Sequence, residues 1–140
     1  MQPYEFKEHT ADILVRANGA TLEEAFGNAA RAMFHVLTGG AEIGKGRQLA
    51  FEVESIDLEG LLVGFLSQLI VLHETENVVL SRFEVTIADE RHLHAVCYGE
   101  SFDAAHHGGG ATVKGVSYHM MEIGKGDKDH PCHVQVLFDI

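Results

Sequence analysis

The residues best suited to chemistry lie near the two ends of the sequence. The segment "KEHTADILVRA", positions 7–17, gathers Glu8, His9, Thr10 and Asp12 at the mouth of an apolar stretch. The closing segment "HVQVLFDI" alternates. Val134, Val136 and Phe138 share one face, and His133, Gln135, Leu137 and Asp139 the other, the period-two pattern of a strand. A strand kept to its last residue would hold the Asp139 side chain beside the carboxylate of Ile140. Adjacent carboxylates repel, and a hard divalent cation relieves the repulsion by taking oxygen ligands. Asp12 would be a third carboxylate if the two terminal strands lie side by side. The plainer reading of the same residues is a solvated carboxyl end and an Asp12 that serves a turn, a common task for aspartate beside strands.

The ten histidines form the second reservoir of chemistry. His106 and His107, next to Asp103 and three glycines, have the composition of a metal patch. His92 and His94 form an HxH pair, which on a strand sends both imidazoles to one face. Catalytic zinc needs three protein ligands and an open position, and neither HExxH nor CxxC occurs. Surface histidines in a loop and on an edge strand explain both groups as well. The stretch "GGGATVKG" lacks the GxxxxGK[ST] spacing of a phosphate-cradling loop and reads as a mobile loop. No serine sits in GxSxG, so a nucleophile-elbow hydrolase has no support. Lys114, Ser117, Tyr118 and His119 lie close together and include acid–base groups. The outward half of an alternating strand explains them equally.

The totals narrow the function classes. Ten Lys and Arg stand against 21 Asp and Glu, for a net charge of −11. A direct nucleic-acid binder needs basic residues to displace counterions from phosphates, so an acidic surface suits cations or a basic partner better. Hydrophobic residues make up 46% and charged residues 22% of the 140-residue chain, the composition of a globular protein. Cys97 and Cys132 are expected as reduced, buried thiols in a cytoplasmic protein. The unbroken apolar stretch 61–66 is too short to cross a bilayer.

These groups must be placed by local structure. A strand is expected over 11–17, with a turn at Asn18-Gly19. Thr21 and Glu24 form a capping box, and Leu22, Ala25, Phe26, Ala29, Met33, Phe34 and Leu37 continue at helical spacing to a stop at Gly39-Gly40. A strand follows at 49–53. Asp57 caps a second helix with Leu58, Leu61, Leu62, Phe65, Leu66, Leu69 and Leu72 on its face. Gly60 and Gly64, one turn apart, permit close packing. An antiparallel hairpin over 83–97 and strands at 112–118 and 133–139 complete the pattern. Residues 1–140 are thus expected as a single α+β domain, two main helices packed on a mostly antiparallel β-sheet.

Several stretches together resemble the archease family nearly end to end: "EHTADILVRA", "TLEEAFGNAARAMF", "DLEGLLVGFLSQLIVLHE", "GESFDAAHHGGGATVKGVSYHMMEI" and "VLFDI". The resemblance implies a small cytoplasmic, non-catalytic cofactor of the tRNA-splicing RNA ligase. Such a protein promotes the ligase's guanylylation and restores its turnover. The resemblance also implies a divalent cation, Ca²⁺ in structures with Mg²⁺ or Mn²⁺ as alternatives, held by Asp12, Asp139 and Ile140. Glu8 and His9 would line the same acidic tip, with Asp103, His107, Lys114, Tyr118 and His119 available for partner contact or activation. No direct nucleic-acid or membrane binding is expected. Glu8 stands where the family usually has Asp, and His106 stands where a basic residue commonly precedes the histidine. The competing readings are a free-standing metal-dependent hydrolase using the His-rich loop with Tyr118 and His119, and a general chaperone or RNA-modification partner.

Overall fold

The computed structural model describes residues 2–7 and 12–140. In chain order the elements are β1 (Tyr4–Lys7), β2 (Asp12–Gly19), α1 (Leu22–Thr38), β3 (Arg47–Glu54), α2 (Leu58–Glu76), β4 (Val78–Asp89), β5 (His92–Ser101), α3 (Ala104–His107), β6 (Gly115–Gly124) and β7 (Cys132–Asp139). The strands form two antiparallel sheets, ordered β1-β2-β7-β6 and β3-β5-β4.

Local signals fix the two long helices. Thr21 Oγ1 accepts from the Glu24 backbone N–H at 3.1 Å, and α1 ends at Gly39 in the left-handed conformation, φ 69°. Asp57 Oδ1 accepts from the Gly60 N–H at 2.8 Å to start α2, and Asn77 closes it with φ 54°. Both helices bury an apolar face. Phe65 of α2 lies at the centre, its ring 6.3 Å from Phe26, 6.0 Å from Phe51 and 6.3 Å from Phe83. One buried cluster runs from Val15 and Ala17 of β2 through both helices to Leu93, Ala95 and Cys97 of β5 and Val134, Val136 and Phe138 of β7. Truncating a residue as central as Phe65 to Ala costs about 3–5 kcal/mol. The sheet carrying the terminal strands is therefore bound to the rest of the molecule through its inner face.

Gly60 and Gly64 do what their spacing suggested. A Cβ on Gly64 would stand 2.6 Å from Val53 Cγ1, and one on Gly60 would collide with the Ser55 hydroxyl. The missing side chains let α2 lie close against β3. By length and composition α2, taken as a whole, is apolar enough to cross a membrane. Leu58, Leu61, Leu62, Phe65, Leu66, Leu69 and Ile70 bury one face of it in the core. Cys97 and Cys132 are both buried and free, as expected.

Several boundaries differ from the sequence expectation. β1 precedes the strand expected to be first, and Asn18 and Gly19 belong to β2 because they pair with His133 and Cys132 of β7. Strand pairing overrides the turn preference of Asn-Gly. β6 starts later and runs further than expected, through Gly124. The segment read as a mobile loop, 108–115, follows directly on the helical turn α3. Its glycines pack against the end of α1, with the Ala111 N–H donating to Val36 O at 2.9 Å. Gly39 and Gly110 leave no room for a Cβ at that approach, so the glycine run serves close packing.

Candidate functional site

The register of β2 against β7 sets Asp12 directly opposite Asp139, and β6 sets Gly115 opposite Asp139 from the other side. Side chains opposite one another in an antiparallel pair project to the same face with Cβ atoms about 4.5–5.5 Å apart. Two carboxylates thus share one face of the sheet at its end, with Ile140 immediately after them and 39% exposed. The core lies on the other face, under Val15, Val136 and Phe138. The backbone N–H of Lys114 donates to Asp139 O at 2.7 Å, extending the ladder one residue past Gly115. A Cβ on Gly115 would stand 3.7 Å from Asp139 Oδ2, so this glycine leaves one flank of the carboxylate open. Like charges placed opposite each other on a sheet are destabilising, and oxygen-only donors suit a hard cation. The residues present therefore fit a Ca²⁺- or Mg²⁺-class ion. Asp12 also lines an open depression with Phe6, His35, Gly109, Gly110 and Ala111. Glu8 and His9, expected at this tip, lie outside the described residues.

Tyr118 and His119 lie three and four residues beyond Gly115 on β6. The pairing of β6 with β7 is interrupted between Ser117 and Glu122, and Met120 adopts φ 60°. This bulge pushes Tyr118 (60% exposed) and Met120 (44% exposed) toward solvent. The His119 N–H donates to Ser117 Oγ at 3.0 Å. The simple alternation expected for this strand breaks at these residues.

The His106–His107 patch is built differently from the surface loop expected. His107 is 1% exposed. The Asp103 N–H donates to its Nδ1 at 2.9 Å, and its Nε2 lies 2.9 Å from Glu100 Oε2. Because Nδ1 accepts, Nε2 carries the proton and donates to the carboxylate. Glu100 Oε2 also accepts from the Gly44 N–H at 2.8 Å, and His106 Nε2 lies 2.8 Å from Glu42 O. The Gly44 N–H, followed by His107, holds the Glu100 carboxyl below its ordinary range. Asp103 caps α3, its Oδ1 accepting from the Ala105 N–H at 3.1 Å.

Ligand atoms of Glu100, His106 and His107 all lie within 4.8 Å of one another, close enough for a metal cluster. Hydrogen bonding weighs against that use. A ligating histidine normally donates its second nitrogen's proton outward, whereas His107 receives one there. The group is a latch that fixes α3 and the glycine run to the end of β5. Glu100 was absent from the expected site. Glu100 lies near the end of β5 and His107 ends α3, so no single periodicity links the two. Burial likewise removes Cys97 as a nucleophile: desolvation pushes its thiol up to about 12.

Residues 4–140 match the model of the Archease protein family (MTH1598/TM1083). Protein archease of Pyrococcus furiosus is 43% identical over 126 residues, covering 88% of this chain and 89% of that protein. Protein archease of Sulfurisphaera tokodaii is 40% identical over 125 residues, with 88% and 89% covered. The solution structure of Methanobacterium thermoautotrophicum protein 1598 superposes with a TM-score of 0.76 at 36% identity, covering 100% of both chains. The crystal structure of an archease from Thermotoga maritima, described as a possible chaperone, shares the fold with a TM-score of 0.61 at 20% identity over 96% and 94% of the two chains.

Proposed function

The chain belongs to the archease family, and from that premise we propose that it is a non-catalytic activator of an RNA ligase of the tRNA-splicing type, working in the cytoplasm through its acidic tip. The observation that carries the reading is the register that puts Asp12 opposite Asp139. Asp12, Asp139 and Ile140 are the residues that would hold a divalent cation. When bound, such an ion offsets the opposed charges and supplies a positive centre for phosphate oxygens.

The remaining work falls to the chain's own surface. Nucleotidyl transfer to a ligase depends on alignment and on charge neutralisation at phosphate, and a docking protein can assist both without providing a nucleophile. The net charge of −11 favours a basic rim on the ligase and speeds encounter with it. Tyr118, Met120 and His119 on the β6 bulge, with Lys114 beside the tip, offer the contact residues. Glu8 and His9 belong to the same proposed surface. Asp103 and His107 act at one remove, by holding the glycine run that borders the depression beside Asp12. A hydrolase reading would need a reactive His-rich loop, and there His107 already has both ring nitrogens engaged.

The test is ligase turnover with and without the protein. Asp12→Ala and Asp139→Ala are each expected to cut the stimulation about tenfold or more while leaving the circular dichroism spectrum unchanged. Full stimulation by both variants would contradict the tip as the working surface. Phosphatase or nuclease activity of the purified chain alone would favour the hydrolase reading instead.

A further inference from the structure

β6 is an edge strand of the sheet that carries the terminal strands, whereas β5, whose His92 and His94 read as an edge strand in sequence, is central in its own sheet. Along β6 the ladder with β7 breaks once. Ser117 pairs with Leu137 and Glu122 with Gln135, so four residues of β6, 118–121, stand against Val136 alone. The extra residues are held on every side. Val116, Met121 and Ile123 pack against the core, which pins both flanks of the bulge. The Gln135 side-chain amide donates to Met120 O at 3.0 Å, and the His119 N–H to Ser117 Oγ at 3.0 Å. Met120 is kept at φ 60°, a left-handed backbone that a residue other than glycine retains only where its surroundings impose it.

What this fixed bulge carries outward is apolar. Tyr118 is 60% and Met120 44% exposed. A bulge on an edge strand also guards against edge-to-edge pairing, but charged side chains serve that task, and an exposed tyrosine and methionine work against it. Both residue types are enriched at protein–protein interfaces. A bulge already ordered loses little conformational freedom on docking, which favours affinity.

Position selects the partner. Alternation along β7 places Gln135 on the outer face with Asp139, and Gln135 ties the bulge to that face. Tyr118 follows Gly115, the residue opposite Asp139, by three positions, within about 10 Å along the strand. A second copy of this chain seated on the bulge would bring another net charge of −11 against the face that holds Asp12 and Asp139, like charge against like. A basic-rimmed partner meets the same face with opposite charge.

We propose that Tyr118 and Met120 are an anchor that enters an apolar socket on the ligase, beside the basic rim that meets the carboxylate tip. The anchor supplies most of the affinity and the tip supplies the activation, with Gln135 as the residue that positions the bulge. This division rests on the activator reading above and adds to it where the binding energy lies.

Ligase turnover measured against rising concentrations of the full chain tests the anchor. In the Tyr118→Ser, Met120→Ser double variant the half-saturating concentration is expected to rise about tenfold or more, a loss that excess protein overcomes. Both side chains are exposed, so its circular dichroism spectrum should match the wild type. Tyr118→Phe should recover most of the affinity lost in Tyr118→Ser. Gln135→Ala, which frees the bulge, should raise the half-saturating concentration about threefold. Asp12→Asn and Asp139→Asn instead lower the plateau, which excess protein does not restore. Ile56→Ser, at an 82% exposed position before α2, is the control and should behave as wild type. A half-saturating concentration unmoved in the double variant, or raised equally in Ile56→Ser, would overturn the anchor and leave the activator reading standing. Failure of the wild type to stimulate at any concentration would overturn the activator reading and the anchor with it. Self-association of the wild type in sedimentation, abolished in the double variant, would assign the bulge to a second copy and overturn the ligase socket.

Discussion

Glu100 and Asp139 are both carboxylates at the ends of strands, in β5 and β7, and the sequence around each is rich in acid and histidine. Their surroundings differ in kind. Glu100 accepts from a backbone N–H and from an imidazole whose other nitrogen is also engaged. Its negative charge is answered by protein donors, and the result is rigidity. Asp139 faces Asp12 across one register step, with a glycine on its other flank. There the fold sets like charge against like charge and leaves space beside it. A polar cluster with its donors and acceptors matched internally serves the fold, whereas the register at the sheet end gathers two carboxylates on one face.

That contrast is broken most forcefully at the latch. His107→Ala removes a buried ring and two hydrogen bonds, and leaves the Glu100 carboxylate short of a donor. It is expected to lower stability by about 2–4 kcal/mol, measured by urea unfolding. A loss below about 0.5 kcal/mol would show the histidine to be peripheral.

At the tip the matching change is Gly115→Val, which suits a strand and puts atoms beside Asp139 Oδ2. Divalent-cation affinity is expected to fall about tenfold while stability moves by no more than about 1 kcal/mol. Equal metal affinity in the two proteins would mean that the open flank is not used.

Acid sharpens the comparison further. The folded-state pKa of Glu100 is lowered by the Gly44 N–H and then by His107. Its contribution to stability is therefore complete above the ordinary glutamate value of about 4.3. It is lost as pH falls through the lowered folded value. Urea midpoints recorded between pH 6 and about pH 3 should decline in the wild type, and Glu100→Gln should lack that share of the decline. Parallel curves for the two proteins would contradict the assignment.

The smallest effect concerns Cys97. Its thiol, raised by burial to about 12, should remain unlabelled by a thiol reagent at pH 8 in the native state and react only on unfolding. Prompt labelling would place it nearer the surface.

How much of this was legible in the sequence depends on the range of the interaction. The helices could be read because their signals are local: Thr21 before Glu24, Asp57 before Gly60, an apolar stripe between, and a left-handed stop at Gly39. The tip was legible as a conditional, since alternation in 133–139 put Asp139 on a known face but could not say which strand lay beside it. The latch was hidden because Glu100, Gly44 and Glu42 reach His106 and His107 through tertiary contact. The glycine run was misread for the same reason. Gly110 looks permissive in sequence, yet the α1 carbonyls it packs against are more than 70 residues earlier. The bulge at Tyr118 was likewise invisible, because an interrupted ladder depends on the partner strand.

The most direct measurement is calorimetric titration of the metal-free chain with Ca²⁺, comparing the wild type with Asp12→Asn and Asp139→Asn. Binding near one equivalent in the wild type, weakened about tenfold or more in both aspartate variants, is the expected result. An affinity that ignores both changes would contradict the tip as a cation site.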